Sequence, residues 1–410
     1  MPDTARLDPV FADPARRRLM DLLRAYGILQ VVLFHVLHGL SRFAPPEDLP
    51  AIMERLPRAL NFAWQPDGPD VIFVVSALLL GVSLIEERLA TGRISWRDYL
   101  VKRVSRIVPL YWLAVALFAL GQGDGLREVL LSAFFLGYTL GDSSVVPVGW
   151  SMEVILLAYL ALPLAVEGLF RLRRPGLWLV LAFAASGLVR YGYLAVSGDS
   201  VARLLPDLIA TQEPTRAAFE LYFRPWFRLS PFIAGLAVAW WLVMRPGWIT
   251  RLEQSRRARI TLALAALPIL WLAWGLPIHD ERSWVYAWGS ERFWALYWCF
   301  TIPLTSIGVG LLALSGLTAP GGSLGARVPG PWGAVSRTIF PIYLFHMFFL
   351  LIAAVVVFRS TESEALGQAN LWLVLGTFGL TAALSLGFGL LLNRFFEAPI
   401  QARLRARFAN

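Results

Sequence analysis

The sequence predicts an all-α, polytopic transmembrane helical bundle of about ten spans plus one short re-entrant or interfacial helix. Three observations carry this. The composition is 57% hydrophobic and 16% charged with 17 Trp among 410 residues, outside the range of a soluble domain. Apolar runs long enough to cross a bilayer recur along the chain. Arginines crowd into alternate connections between those runs.

The spans are expected near 19–41, 69–87, 104–121, 149–169, 176–196, 229–245, 260–277, 293–315, 336–358 and 370–392. The first eighteen residues are polar, with four arginines. No cleavable signal peptide precedes the first span, which therefore doubles as an uncleaved targeting helix. An eleventh apolar run, 128–140, is too short to assign by length. The positive-inside rule arbitrates: if 128–140 does not cross, one side of the membrane carries 23 of the 37 Lys and Arg and the other 11. This places both termini in the cytoplasm. A single domain over 1–410 is expected, with a cytoplasmic segment 1–18, a cytoplasmic tail 393–410 and no appended soluble domain.

The net charge of +9 reads as loop arginines facing the lipid bilayer, not nucleic acid. The one cysteine, Cys299, excludes an intrachain disulfide. His279-Asp280-Glu281 reads as a solvated turn; no metal and no permanently bound cofactor is expected. The long connections at 42–68 and 197–228 contain short apolar pieces, Ala51–Leu60 and Ala217–Trp226. These suit either lids over an acceptor-facing surface or segments lying on lipid headgroups.

Within the first span, Arg24 and His35 are eleven residues apart. Eleven steps of about 100° make three turns plus roughly 20°, so both side chains share one face, separated by about 16 Å along the axis. An intramembrane arginine should face protein or a wet cavity. The stripe fits a lined path; it also fits an arginine paired with Asp21 or snorkelling, beside a structural histidine. Further polar groups recur at other spans. Asp70 opens the second, followed by Phe73 and Ser76. Arg103 and Arg106 share a face at i, i+3, a pair that suits a phosphate-bearing ligand or simply sets topology. Trp150, Ser151, Glu153, Tyr159 and Pro163 follow on the fourth span, and Tyr343 and His346 on the ninth. Glu153 near a helix start benefits from the helix dipole, which weakens a catalytic reading from burial alone.

This ordered set resembles the bacterial membrane acyltransferase family 3, integral-membrane enzymes that acylate sugars on surface polysaccharides, lipopolysaccharide, glucans and macrolides. The likeness lies in Arg24 with ten intervening residues to His35, then Asp70, Phe73 and Ser76, then Arg103 and Arg106 before Pro109 and Tyr111. It continues through Trp150, Ser151, Tyr159 and Pro163 to Tyr343, His346, Glu397 and Pro399. Two positions depart from the family pattern. Ala77 replaces a glycine, and Ile155 stands where a glutamate is usual; Glu153 is displaced from that place by about 200° around the helix.

The resemblance implies transfer of an acyl group, most often acetyl, from cytoplasmic acyl-CoA to a hydroxyl of a sugar or polysaccharide, in a bacterial inner membrane. His35 would be the general base, having an ordinary pKa suited to neutral pH. Arg24 would bind the donor or stabilise the oxyanion. Arg103 and Arg106 would hold CoA phosphates. The alternatives are a proton-coupled secondary transporter or lipid-linked sugar flippase relaying protons through His35 and His346, and a non-catalytic scaffold of the same family.

Overall fold

The computed structural model describes residues 10–198, 215–277, 283–319, 331–360 and 362–408. The sequence expectation at His279-Asp280-Glu281 lies outside them. Among the described residues, nine helices are long and apolar enough to span a membrane, and a bent pair makes a tenth. The chain is a multi-pass membrane protein.

The spans are α1 (Pro14–Phe43), α3 (Gly68–Thr91), α4 (Trp96–Gln122), α7 (Gly149–Arg171), α8 (Pro175–Ser197), α10 (Ser230–Met244), α12 (Arg256–Trp274), α14 (Glu291–Leu317), α16 (Ile339–Phe358) and α18 (Leu371–Leu392). Between them lie the shorter α2 (Leu49–Arg55), α5 (Leu126–Ala133), α6 (Gly137–Leu140), α9 (Arg216–Phe223), α11 (Pro246–Gln254), α13 (Trp284–Trp288), α15 (Pro331–Arg337) and α17 (Ser363–Leu366). Helix α10 has 15 residues and turns by 90° into α11 at Arg245.

Three boundaries differ from the sequence expectation. Helix α1 begins five residues before Leu19, inside the polar leader. Asp13 accepts a hydrogen bond from the Ala15 amide at 2.8 Å and Pro14 occupies the first turn, a combination that starts a helix whatever follows. The last span continues through a π-helical turn at Asn393–Glu397 into α19 (Ala398–Phe408), which packs on α4. The 128–140 run is broken into α5 and α6; Phe135 between them has a left-handed backbone, φ 59°. Neither piece is long enough to span.

Helix α3 is the axis of the bundle. Of its apolar window 83% is buried, against 17% for α12. It is crossed closely on two sides. Against α1, a side chain on Gly68 would strike the Gln30 side-chain oxygen Oε1 and the Gly27 backbone carbonyl. Against α10, a side chain on Gly235 would meet the Ala77 methyl at 2.8 Å and the Val74 carbonyl. The alanine that departs from the family glycine is thus absorbed by a glycine on the facing helix, as in other small-residue membrane interfaces.

Each of the two apolar pieces of the long connections turns one face into the core. Ile52 of α2 and Ala217, Ala218 and Leu221 of α9 are fully buried, and they join Trp64 and Leu37 in the core at the carboxyl end of α1. A second core, with Leu78, Ile85 and Leu317, fills the opposite end.

Candidate active site

Helices α1 and α16 run side by side, and their histidines meet. Nε2 of His346 is 3.2 Å from Nδ1 of His35, with ring centroids 4.8 Å apart. The neighbouring carbonyls fix the protons. Nδ1 of His346 lies 2.8 Å from the Tyr343 carbonyl and 3.3 Å from that of Ile342. Carbonyls only accept, so this nitrogen carries the proton and Nε2 holds a lone pair. Nδ1 of His35 therefore faces two acceptors, His346 Nε2 and the Val31 carbonyl at 2.8 Å, and must donate. What remains is Nε2 of His35, unprotonated and available as a base.

His35 stands between two cavities. The histidine cavity, about 600 Å³, is lined by His35, His38, Phe34, Tyr138, Trp150 and Tyr222 among others. The arginine cavity, about 270 Å³, lies toward the amino end of α1 and is lined by Arg24, Ser76, Arg103, Arg106, Tyr159 and Tyr343 among others. A void of about 10 Å³ lies between them, room for a single water at most. His35, Trp150 and Tyr222 line this void together with the histidine cavity; Pro69 and Tyr343 line it together with the arginine cavity. Tyr343 is also hydrogen-bonded to Ser151.

The arginine cavity is built for an anion. Arg24 Nη2 donates to Asp21 at 2.9 Å, and Ser336 holds the same carboxylate at 2.6 Å. The Arg103 guanidinium lies 5.9 Å from the Tyr99 ring and 5.8 Å from the Tyr159 ring. Asp21 pairs with Arg24 and Glu397 interacts with Arg106, so the three guanidinium groups retain a positive excess. Nε of Arg24 and Nε of Arg103 are buried with no hydrogen-bond partner. Buried unpaired donors on cations are costly, and a bound carboxylate or phosphate would satisfy them.

The family described as "Acyltransferase domain" matches residues 18–390, a stretch that contains both cavities and the histidine pair. The chain belongs to the membrane acyltransferase family 3. No curated protein and no solved structure matches it significantly.

Not every expected residue of this acyltransferase reaches the cavities. Asp70 is fully buried in an ion pair with Arg228, Oδ2 to Nη1 2.7 Å, and faces neither cavity. Glu153 accepts from the amides of Tyr138 and Thr139 at 2.7 and 2.8 Å and from the Thr139 hydroxyl at 2.7 Å. It caps α6 and presents Tyr138 to the histidine cavity. Ile155 instead lines the arginine cavity, so the position where the family usually has a glutamate does face the site, and here it is apolar.

Several site-building residues of the acyltransferase carry no local signal. Arg228 and Arg224 count in the sequence only as loop charge. The Arg228 guanidinium lies 4.9 Å from the Trp150 ring and 4.4 Å from the Tyr222 ring, bracing two walls of the histidine cavity. Arg224 binds the Tyr138 and Gly141 carbonyls, Asp142 and Glu220. Arg190 donates to the carbonyls of Cys299, Leu221, Phe227 and Trp298, tying α8, α9 and α14 together. The aromatic residues of 219–227 are a local hint, and they suit a membrane interface equally well.

Proposed function

We propose that this membrane acyltransferase moves an acyl group, acetyl in the first instance, from acyl-CoA to a hydroxyl of a sugar-bearing acceptor. The observation that carries the reading is an imidazole nitrogen, His35 Nε2, left basic beside the void between an anion-binding cavity and a separate aromatic one. The acyltransferase assignment sets aside the transporter alternative.

In this reading the arginine cavity takes the donor from the cytoplasm, consistent with the bias of Lys and Arg toward that side. Arg103 and Arg106 hold CoA phosphates, and Arg24 belongs with them. Its guanidinium is drawn to Asp21, away from His35, which argues against an oxyanion role at the histidine. The acceptor hydroxyl enters from the histidine cavity. His35 Nε2 takes its proton as the oxygen attacks the thioester carbonyl. The tetrahedral oxyanion forms as the constriction widens to admit the acyl group, and the Tyr343 hydroxyl turns from Ser151 to donate to it. The C–S bond then breaks, and the imidazolium returns the proton to the departing thiolate of CoA. His346 accepts from Nδ1 throughout, which holds the His35 ring in place and stabilises its cationic form.

The test is release of free CoA from radiolabelled acetyl-CoA by the protein purified in nanodiscs. Wild type should consume thioester and His35→Ala should not, at equal folded amounts. A His35→Ala variant as active as wild type refutes the reading.

A further inference from the structure

The histidine cavity has two chemically distinct halves. Around His35 its wall is aromatic: Phe34, Tyr138, Trp150, Tyr222 and Phe223. Flat aromatic faces beside a general base suit a hydroxylated ring, whose C–H face packs on them while its oxygens reach the imidazoles. Farther along α16 the wall changes to Leu350, Leu351, Ala354 and Val355, with Val374 of α18 opposite. The hydroxyl of Thr377, one turn from Val374, donates to the Leu373 carbonyl of its own helix at 2.8 Å, and the other polar side chains of this half, Arg42, Ser360, Glu362 and Ser363, lie toward the ends of α1 and α16. Hydroxyl groups placed along Leu350, Leu351, Ala354 and Val355 would lose water and gain few partners.

The aliphatic half is also open sideways. Leu351 is 63% exposed and Val355 43% exposed although both line the cavity. They sit on a membrane-spanning helix beside Phe348, Ile352 and Val356, which are exposed without lining the cavity, a flank that suits the hydrocarbon of the bilayer.

We propose, resting on the transfer reaction above, that the acceptor is an amphiphile: a hydroxylated sugar carried on an apolar chain, which enters from the bilayer with its ring on the aromatic half and its chain along α16. A water-soluble glycan would use only the aromatic half.

The test uses a dodecyl glucoside with a diazirine in its alkyl chain, photolysed with the protein in nanodiscs and mapped by peptide mass spectrometry. Labelling is expected at Leu350–Val355 and Val374. Unlabelled dodecyl glucoside should suppress it, and methyl glucoside should not. Ala354→Trp fills the aliphatic half and should weaken labelling roughly fifteenfold, as expected when about two methylenes lose burial at some fourfold each. Partitioning into the bilayer is the same for both proteins, so the comparison isolates the cavity. Labelling spread over all lipid-facing helices, or suppression by methyl glucoside as strong as by dodecyl glucoside, overturns the proposal. Because labelling needs no chemistry at His35, the two readings fail separately. Thioester consumption without cavity labelling removes the amphiphile alone, and labelling without thioester consumption removes the transfer reaction.

Discussion

Asp70 and Arg228, 158 positions apart, form an ion pair at 2.7 Å with both side chains buried. The guanidinium is at the same time stacked between Trp150 and Tyr222. The pair therefore links the start of α3 to the aromatic wall beside His35. Removing either partner strands a buried charge, at a cost of about 3–5 kcal/mol. Asp70→Ala and Arg228→Ala are each expected to lower the melting temperature in detergent sharply, and the double variant less than the sum. Additive losses would show that the pair is not coupled.

His346 is expected to act through His35. His346→Ala should lower kcat by roughly 10- to 100-fold, part of the 10²–10⁴ that a general base supplies. His346→Gln, whose amide oxygen can still accept from His35 Nδ1, should recover much of it. Equal loss in the two variants would assign His346 a packing role only.

Arg103→Ala and Arg106→Ala should raise KM for acyl-CoA and leave KM for the acceptor unchanged. Loss of a charge-assisted hydrogen bond, about 1.5–3 kcal/mol, corresponds to roughly 10- to 150-fold. Arg24→Lys should also raise donor KM, because an ammonium cannot reproduce the guanidinium fork. An effect confined to acceptor KM would move these residues out of the donor site.

Tyr343→Phe keeps the ring at the constriction and removes its hydroxyl. If that hydroxyl donates to the oxyanion, kcat falls by about 10²–10³ with donor KM little changed. Unaltered kcat would leave the oxyanion to another group.

Glu153→Ala is expected to lower thermal stability, since three donors at α6 lose their acceptor, each worth about 1–3 kcal/mol when left buried and unsatisfied. The kcat per folded molecule should stay near wild type, because the carboxylate itself lines neither cavity. A large fall in kcat with unchanged melting temperature would make the carboxylate catalytic after all.

Much of the fold and part of the site can be read from the chain because they depend on local periodicity. Hydrophobic runs of spanning length mark the spanning helices. Helical spacing puts Arg24 and His35 on one stripe, and Arg103 beside Arg106. The same geometry, a displacement of about 200°, separates Glu153 from Ile155, and the two side chains do face different surroundings. The family pattern adds Trp150, Ser151, Tyr159, Tyr343 and His346, all of which lie at or beside the cavities.

What sequence alone determines here is which segments cross, and which polar side chains share a helix face. Both follow from a fixed rise and rotation per residue. Which faces meet was decided only by tertiary packing. The 3.2 Å contact of His346 with His35, the burial of Asp70 against Arg228, and the division of one stripe into two cavities all join residues far apart in the chain. They depend on how side chains of different helices fill shared space, notably where Gly68 and Gly235 let α3 approach its neighbours. No local pattern records that, so the tautomer that leaves His35 Nε2 basic emerges only once α1 and α16 stand side by side.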